Sequence, residues 1–291
     1  MNIILTSDIE LWSWNRSFEQ DIKMGTLKLI ELSEKEKVPL TLFISLSDKG
    51  YGNNDYLNAI KRLTKGIKSK NVAWGIHTHC KNLPIEYSNY SDNLKDYSEE
   101  EIIKILNWYK KELENLSNKK ITVHRAGGYH IPRLNILEKC FKKTGIKMDS
   151  SLLFRDYSQP LKLNGLSEIP PATNKKYAKK RIVFGPEQMS KKEMIKFYNT
   201  AKKKTDLLVI NFHSFSVYGS LGLKAKIWHK MPTFLRLLIR PFVGKIKENS
   251  KQKEIKGISD NFKKLVWLIR FLKDRGDSFI NYNGVNVNKA F

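Results

Sequence analysis

Residues 2–10, Asn2-Ile3-Ile4-Leu5-Thr6-Ser7-Asp8-Ile9-Glu10, decide how the rest of the chain is read. An apolar, β-branched run reads as a strand over 2–6, and it gives way to a polar station, Thr6 to Glu10. Asp8 and Glu10 stand two apart, so an extended backbone projects both carboxylates to one side and Ile9 to the other. Three further stations follow the same plan. His77-Thr78-His79 closes the strand predicted over 72–77, Arg125-Ala126-Gly127-Gly128-Tyr129 follows one over 121–123, and Asn211-Phe212-His213-Ser214 ends the apolar run 207–212. Strand ends in an α/β protein converge on one face of the sheet, so residues about 70, 120 and 200 positions apart meet in one site. A metal-dependent hydrolase is laid out in this way.

Between the stations strand and helix patterns alternate. VPLTLFIS, 38–45, predicts the second strand, and 146–153, 161–169 and 278–281 predict further short ones. Apolar residues recur at helical spacing from Leu27 to Leu32, 56–67, 97–116, 132–141, 191–203 and 262–272. Ser190 with Glu193 forms a capping-box pattern, and Ser259 or Asp260 caps the last helix. About seven such alternations without a linker predict one α/β domain over residues 1–291, closed or nearly closed as a barrel. No GxGxxG or Walker pattern follows any strand, which argues against dinucleotide and P-loop sites.

Composition narrows the function classes. The 291 residues carry 53 Lys and Arg against 29 Asp and Glu, a formal charge of +24. Such charge favours an anionic glycan, an anionic membrane surface or nucleic acid, the last disfavoured because no reading element accompanies it; the bland alternative is a solvated lysine surface. Two cysteines, Cys80 and Cys140, offer no disulfide framework and fit a reducing compartment. Neither a secretory signal nor an apolar run of about 18–20 residues is legible, so the expected location is cytoplasmic, with peripheral attachment to the inner membrane face as the variant.

The stations themselves suggest chemistry. His77 and His79 are two of six histidines, and their two-residue period brings both imidazoles to one face. With a carboxylate oxygen they suit one divalent metal, zinc above all, with nickel, cobalt or manganese as alternatives. Trp12 and Trp14 follow the paired carboxylates and read either as a sugar-binding surface or as core. Gly127 and Gly128 permit a tight turn and close approach of a ligand beside Tyr129. Arg125 is expected to hold Asp8 through paired hydrogen bonds, and His213 suits acid–base work near neutral pH.

On these residues the chain resembles the polysaccharide deacetylase family, the NodB-homology carbohydrate esterases. Thr6 to Glu10 is similar to the family's first motif, Gly75 to His79 to its histidine motif, Arg125 to Tyr129 to its arginine motif, and Phe212-His213-Ser214 to the last. Asp149-Ser150-Ser151 and Leu166 to Pro170 resemble intervening segments. The resemblance implies a single-domain, distorted (β/α)7-type barrel. It also implies hydrolysis of an N-acyl group, acetyl or formyl, from an amino sugar. His77, His79 and one carboxylate would hold the metal, Asp8 would act as base with Arg125 holding it, and His213 would protonate the departing amine. Gly128 and Tyr129, with Trp12 and Trp14, would contact the sugar. Two departures stand out: Ile9 occupies the place of the usual second aspartate, and Lys81 that of the usual second histidine. A subset of relatives with an acid two residues after the aspartate and histidines two apart matches better. The metal carboxylate is then Asp8 or Glu10, and if Asp8 is the ligand Glu10 becomes the base. The rival reading from these departures is a catalytically weak relative that binds anionic glycan or lipid.

One segment departs from the barrel pattern. Residues 218–250 interleave Trp228, Phe234 and Leu238 with Lys224, Lys230, Arg236 and Arg240, with acid almost absent before Glu248. This basic amphipathic insertion reads as an interfacial helix on an anionic membrane, or as a helix packed on the barrel or at a dimer contact. The first reading suits a lipid-linked saccharide as substrate.

Overall fold

The structure, a computed structural model, describes residues 1–10, 22–47, 58, 60–61, 69–153, 157, 160–163, 165–174, 182–218 and 258–285. In chain order the strands are β1 (Asn2–Ile9), β2 (Leu40–Ile44), β3 (Val72–Thr78), β4 (Val123–Ala126), β5 (Met148–Asp149), β6 (Leu161–Leu163) and β7 (Leu166–Glu168). They continue with β8 (Thr173–Asn174), β9 (Ile182–Val183), β10 (Leu207–His213) and β11 (Ser278–Phe279). The helices are α1 (Leu27–Glu36), α2 (Glu99–Ser117), α3 (Leu134–Thr144), α4 (Lys191–Ala201) and α5 (Asp260–Asp274). Among the described residues nine strands form one sheet in the order β10-β1-β2-β3-β4-β5-β7-β6, with β11 paired to the start of β1. Within this sheet every pairing is parallel except β6 with β7, and it forms a curled half-barrel that the described ladders leave open between β10 and β6; β8 and β9 make a separate antiparallel pair.

Period-two alternation explains both faces. On β1, Ile3, Leu5 and Ile9 join the larger core under the helices, while Ile4 joins a smaller cluster with Phe43, Val123, Met148, Val209 and Tyr282. Thr6, Asp8 and Glu10 share the parity of Ile4, so one strand face runs from an apolar floor to a charged rim. β10 repeats this with Leu207, Val209, Asn211 and His213, against Leu208, Ile210 and Phe212 on the helix side. On the outside α2 packs against β3 and α3, burying Ile102, Ile105, Leu106, Tyr109 and Leu113, each worth roughly 1.5–3 kcal/mol. Capping boxes at Ser98/Glu101 and Ser190/Glu193 fix where α2 and α4 begin, each cap contributing about 1 kcal/mol.

Three expectations change. The stretch 161–169 is a hairpin of β6 and β7, not one strand; in the sequence Asn164-Gly165 between Leu163 and Leu166 is the two-residue turn signal that interrupts the alternation. The first strand reaches Ile9, and the fourth starts at Val123 and takes in Arg125. The stations are therefore strand residues, because parallel ladders carry the pairing outward: Asp8 pairs with His213 and with Phe43, and His77 pairs with Arg125. Of the helix expected at 56–67 only Asn58, Ile60 and Lys61 are described, and they are helical.

Candidate active site

The register brings together Asp8, Glu10, His77, His79, Arg125, Asn211 and His213 at the C-terminal ends of β1, β3, β4 and β10. Arg125 is fully buried and organises the centre. Its Nη1 donates to Asp8 Oδ1 at 2.6 Å and to Asn211 Oδ1 at 2.8 Å, Nη2 donates to Ser150 Oγ at 2.9 Å, and Nε donates to the Ser150 carbonyl at 3.3 Å. The guanidinium lies 4.0 Å from the centre of the Phe43 ring, and Tyr282 accepts a further bond from Nη2. Asn211 Nδ2 donates to Asp8 Oδ2 at 2.8 Å and to the Tyr129 hydroxyl oxygen at 3.0 Å. Both Asp8 oxygens are thus held. Burial alone would raise the Asp8 carboxyl, but the charge of Arg125, with His77, His213 and Asn211, holds it below the usual carboxylate range.

Glu10 takes a different position. Its Oε2 is 2.7 Å from His79 Nε2 and 3.6 Å from His77 Nε2, and one ligand atom from each of the three residues lies within 4.8 Å of the others. Burial works against its ionisation, yet the two imidazoles facing it hold its carboxyl well below the ordinary range. His77 Nδ1 is 3.1 Å from the Arg125 carbonyl oxygen, which can only accept, so that nitrogen carries the proton. Burial lowers the His77 imidazole, leaving it neutral, and its buried Nε2 has no hydrogen-bond partner. An unprotonated nitrogen facing a carboxylate is repelled by it, and a cation placed between them would turn that repulsion into attraction. Two imidazole nitrogens and one carboxylate are a donor set that suits a divalent ion, and the carboxylate within reach of both imidazoles is that of Glu10.

His213 lies on the far side of Glu10, a quarter exposed, with Nε2 3.4 Å from Glu10 Oε1 and 3.8 Å from Asp8 Oδ2. Its Nδ1 is 2.7 Å from Glu187 Oε2, and its backbone N–H donates to Glu187 Oε1 at 2.8 Å. Burial would lower this imidazole, but Glu187, with Glu10 and Asp8 behind it, raises it to about 10. His79 Nδ1 likewise meets Asp92 Oδ2 at 2.9 Å. Gly127 lies flat against the His79 ring: a Cβ there would stand 2.5 Å from Cε1. Gly128 and Tyr129 both adopt left-handed backbone, φ 59° and 62°, which turns the chain sharply at the site edge.

On the other face of the sheet His124, Asp149 and Glu168 occupy one register row across β4, β5 and β7. His124 Nδ1 is 2.6 Å from Asp149 Oδ1 and Nε2 is 3.0 Å from Thr78 Oγ1. Despite burial, His124 keeps Asp149 below its usual range, while burial and then Asp149 push Glu168 well above its own.

Asp8, Glu10, His77, His79, Arg125, Tyr129 and His213 thus come together as quoted from the sequence. Trp12, Trp14, Lys224, Trp228, Lys230, Phe234, Arg236 and Arg240 lie outside the described residues. Sequence reasoning missed Asp92, Glu187 and Tyr282, and gave no role to Asn211 or Ser150. Asn211 had a signal, since it shares the parity of His213; Asp92 and Glu187 sit in connecting segments without periodicity.

No family model and no curated protein matches the chain. Among solved structures it is similar to the 4-α-glucanotransferase of Thermococcus litoralis, with 12% identity and a TM-score of 0.51, covering all of this chain and 40% of that one. It also aligns with the catalytic domain of a peptidoglycan N-acetylglucosamine deacetylase from Eubacterium rectale, at 13% identity and TM-score 0.46 over 98% and 89% of the two chains. A third is PdaA of Bacillus subtilis, a family 4 carbohydrate esterase, at 17% identity and TM-score 0.45 over 99% and 81%. A peptidoglycan deacetylase and a family 4 carbohydrate esterase are thus among the structures this chain aligns with, and the likeness to the glucanotransferase is one of fold.

Proposed function

We propose that the chain is a metal-dependent hydrolase that removes an N-acyl group, acetyl or formyl, from an amino sugar in a glycan or lipid-linked precursor. The observation that carries this reading is a buried carboxylate and an imidazole flanking one candidate metal centre, Asp8 fixed by Arg125 and Asn211 and His213 by Glu187. Asp8 is held ionised and His213 is held protonated at neutral pH, the states that a base and an acid need for amide hydrolysis. The motif resemblance supports the same chemistry.

Glu10, His77 and His79 would hold the ion, with zinc the best match to the donor set. When bound, it supplies Lewis-acid polarisation of a carbonyl oxygen and lowers the pKa of water. Asp8 accepts the proton of the attacking water, and Arg125 and Asn211 fix that carboxylate from two sides so that it needs no reorientation. As the C–N bond breaks, His213 Nε2 gives its proton to the departing amine, while Glu187 on Nδ1 keeps the ring turned toward the site.

The test is amine release from N-acetylated and N-formylated amino-sugar oligosaccharides by zinc-loaded protein. Asp8→Asn is expected to bind zinc and lose activity by about 10²–10⁴-fold, whereas Glu10→Gln loses the zinc itself. Zinc retained by Glu10→Gln and lost by Asp8→Asn would reverse the two roles. Absence of bound zinc, nickel, cobalt or manganese after growth with added metal would overturn the reading. The basic segment 218–250 suits a substrate carried on a lipid phosphate at the inner face of a membrane. Making Trp228, Phe234 and Leu238 polar should abolish flotation with anionic liposomes, and unchanged flotation would refute that placement.

A further inference from the structure

The two histidines of the candidate metal centre are not built alike. His77 rests its Nδ1 on a neutral backbone carbonyl, whereas His79 rests its Nδ1 on the Asp92 carboxylate. Asp92 comes from the connection between β3 and α2, thirteen positions from His79, and belongs to none of the four stations. That connection is tethered to itself and to β3. The Cys80 N–H donates to the Asp92 carbonyl at 3.2 Å, the Lys81 N–H donates to Asp92 Oδ1 at 3.4 Å, and the Asn93 N–H donates to Ser91 Oγ at 3.1 Å. Tyr97 bonds the Ser91 carbonyl, and its oxygen accepts from the Ser91 N–H. The Asp92 side chain is 38% exposed, so its charge stays hydrated while one oxygen reaches inward.

The rest of His79 is also gripped. Tyr109 donates to its carbonyl at 2.8 Å and accepts from its N–H at 3.3 Å, and Gly127 covers one face of the ring. Gly127 limits rotation of the ring from one face, and a carboxylate on Nδ1 fixes the angle at which Nε2 meets Glu10. A carboxylate there also keeps the proton on Nδ1 and raises the electron density at Nε2, the atom aimed at Glu10.

We propose that Asp92 is the positioning residue that makes His79 the stronger and more rigidly aimed of the two imidazole ligands. This rests on the reading that Glu10, His77 and His79 hold a divalent ion. The bond joins a buried ring to a partly exposed carboxylate, so its loss costs some folding stability too, and the metal readout must be taken on protein shown to be folded. The experiment titrates zinc into the full chain against a chromophoric chelator, and cobalt by visible absorption, for wild type, Asp92→Ala and Asp92→Asn. Zinc affinity is expected to fall about 10- to 100-fold in Asp92→Ala, with an altered cobalt spectrum, in protein that still melts cooperatively without metal. Asp92→Asn keeps size and shape and guards against a folding defect; it should fall between the other two, since its amide oxygen still accepts but carries no charge. Equal zinc affinities and cobalt spectra in all three proteins would overturn the role of Asp92 and leave the metal reading standing. No zinc uptake by wild type would overturn both.

Discussion

Gly127→Ala is the sharpest test of the candidate metal centre, because the substitution touches one ligand through one added methyl. The new Cβ would stand 2.5 Å from His79 Cε1, 2.6 Å from Nε2 and 2.7 Å from Nδ1, whereas ordinary contact begins at 3.4 Å. Backbone strain does not enter, because Gly127 lies outside the left-handed region. The ring must retreat by about 0.9 Å, while metal–ligand distances tolerate about 0.2 Å. Tyr109 holds the His79 backbone, and Asp92 and Glu10 hold both ring nitrogens, so the retreat cannot be shared without breaking one of these contacts. A misplacement of that size weakens zinc binding by on the order of 100-fold or more, about 2.7 kcal/mol. Gly128→Ala supplies the contrast. There φ is 59°, so alanine costs about 1–2 kcal/mol of stability, but its Cβ faces His130 and not His79. Competition titration with a chelator should show zinc lost in the first variant and kept in the second, with thermal melts showing the stability loss in the second. Zinc binding by Gly127→Ala at wild-type affinity would refute the packing argument.

Three further expectations follow from the surrounding groups. Arg125→Met leaves the Asp8 carboxylate buried without its cation and should destabilise the protein by about 3–5 kcal/mol in urea, with adding Asp8→Asn recovering part of the loss; strict additivity of the two would contradict the pairing. In metal-free protein the His213 imidazole stands at about 10 against an ordinary 6.5, so its stabilising contribution is complete below pH 6.5 and is lost as pH rises to about 10. Melting temperature should decline over that window, and His213→Gln should remove part of the decline; superimposable profiles would exclude it. Glu168 is held protonated beside ionised Asp149, so Glu168→Gln should change stability by under about 1 kcal/mol, whereas Asp149→Asn costs about 1–3 kcal/mol by denying His124 its charged acceptor. Equal losses in urea would show that the proton is not placed on Glu168.

The parts of this molecule that sequence revealed are those that obey a period. Asp8 with Glu10, His77 with His79, and Asn211 with His213 are each two apart, and a strand turns that spacing into a shared face. Their meeting followed from parallel order, because equivalent strand ends lie side by side. Which carboxylate faces the histidines did not follow. Asp8 and Glu10 have the same parity, and the choice depends on Arg125 and Asn211 occupying both Asp8 oxygens, leaving Glu10 to reach His77 and His79. Asp92 and Glu187 were invisible for another reason. They act from connecting segments, where a residue's direction is set by local hydrogen bonds such as those of Ser91 and Tyr97 and leaves no repeat to read. The β6–β7 hairpin was legible, since Asn164-Gly165 breaks the alternation between Leu163 and Leu166, and reading 161–169 as one strand overlooked that signal.

The inner face of β1 has a consequence for how this protein can fail. Ile4, Thr6, Asp8 and Glu10 run from floor to rim on one side of a single strand, and Ile3, Leu5 and Ile9 fill the opposite side. Sliding β1 by one position against its neighbours would exchange the two sets, sending Asp8 and Glu10 under the helices and Ile9 into the site. Such a chain would lose its core together with its acids. Misregistered molecules should therefore be unstable as well as inactive, so a preparation sorted by solubility and cooperative melting is also sorted for an intact site.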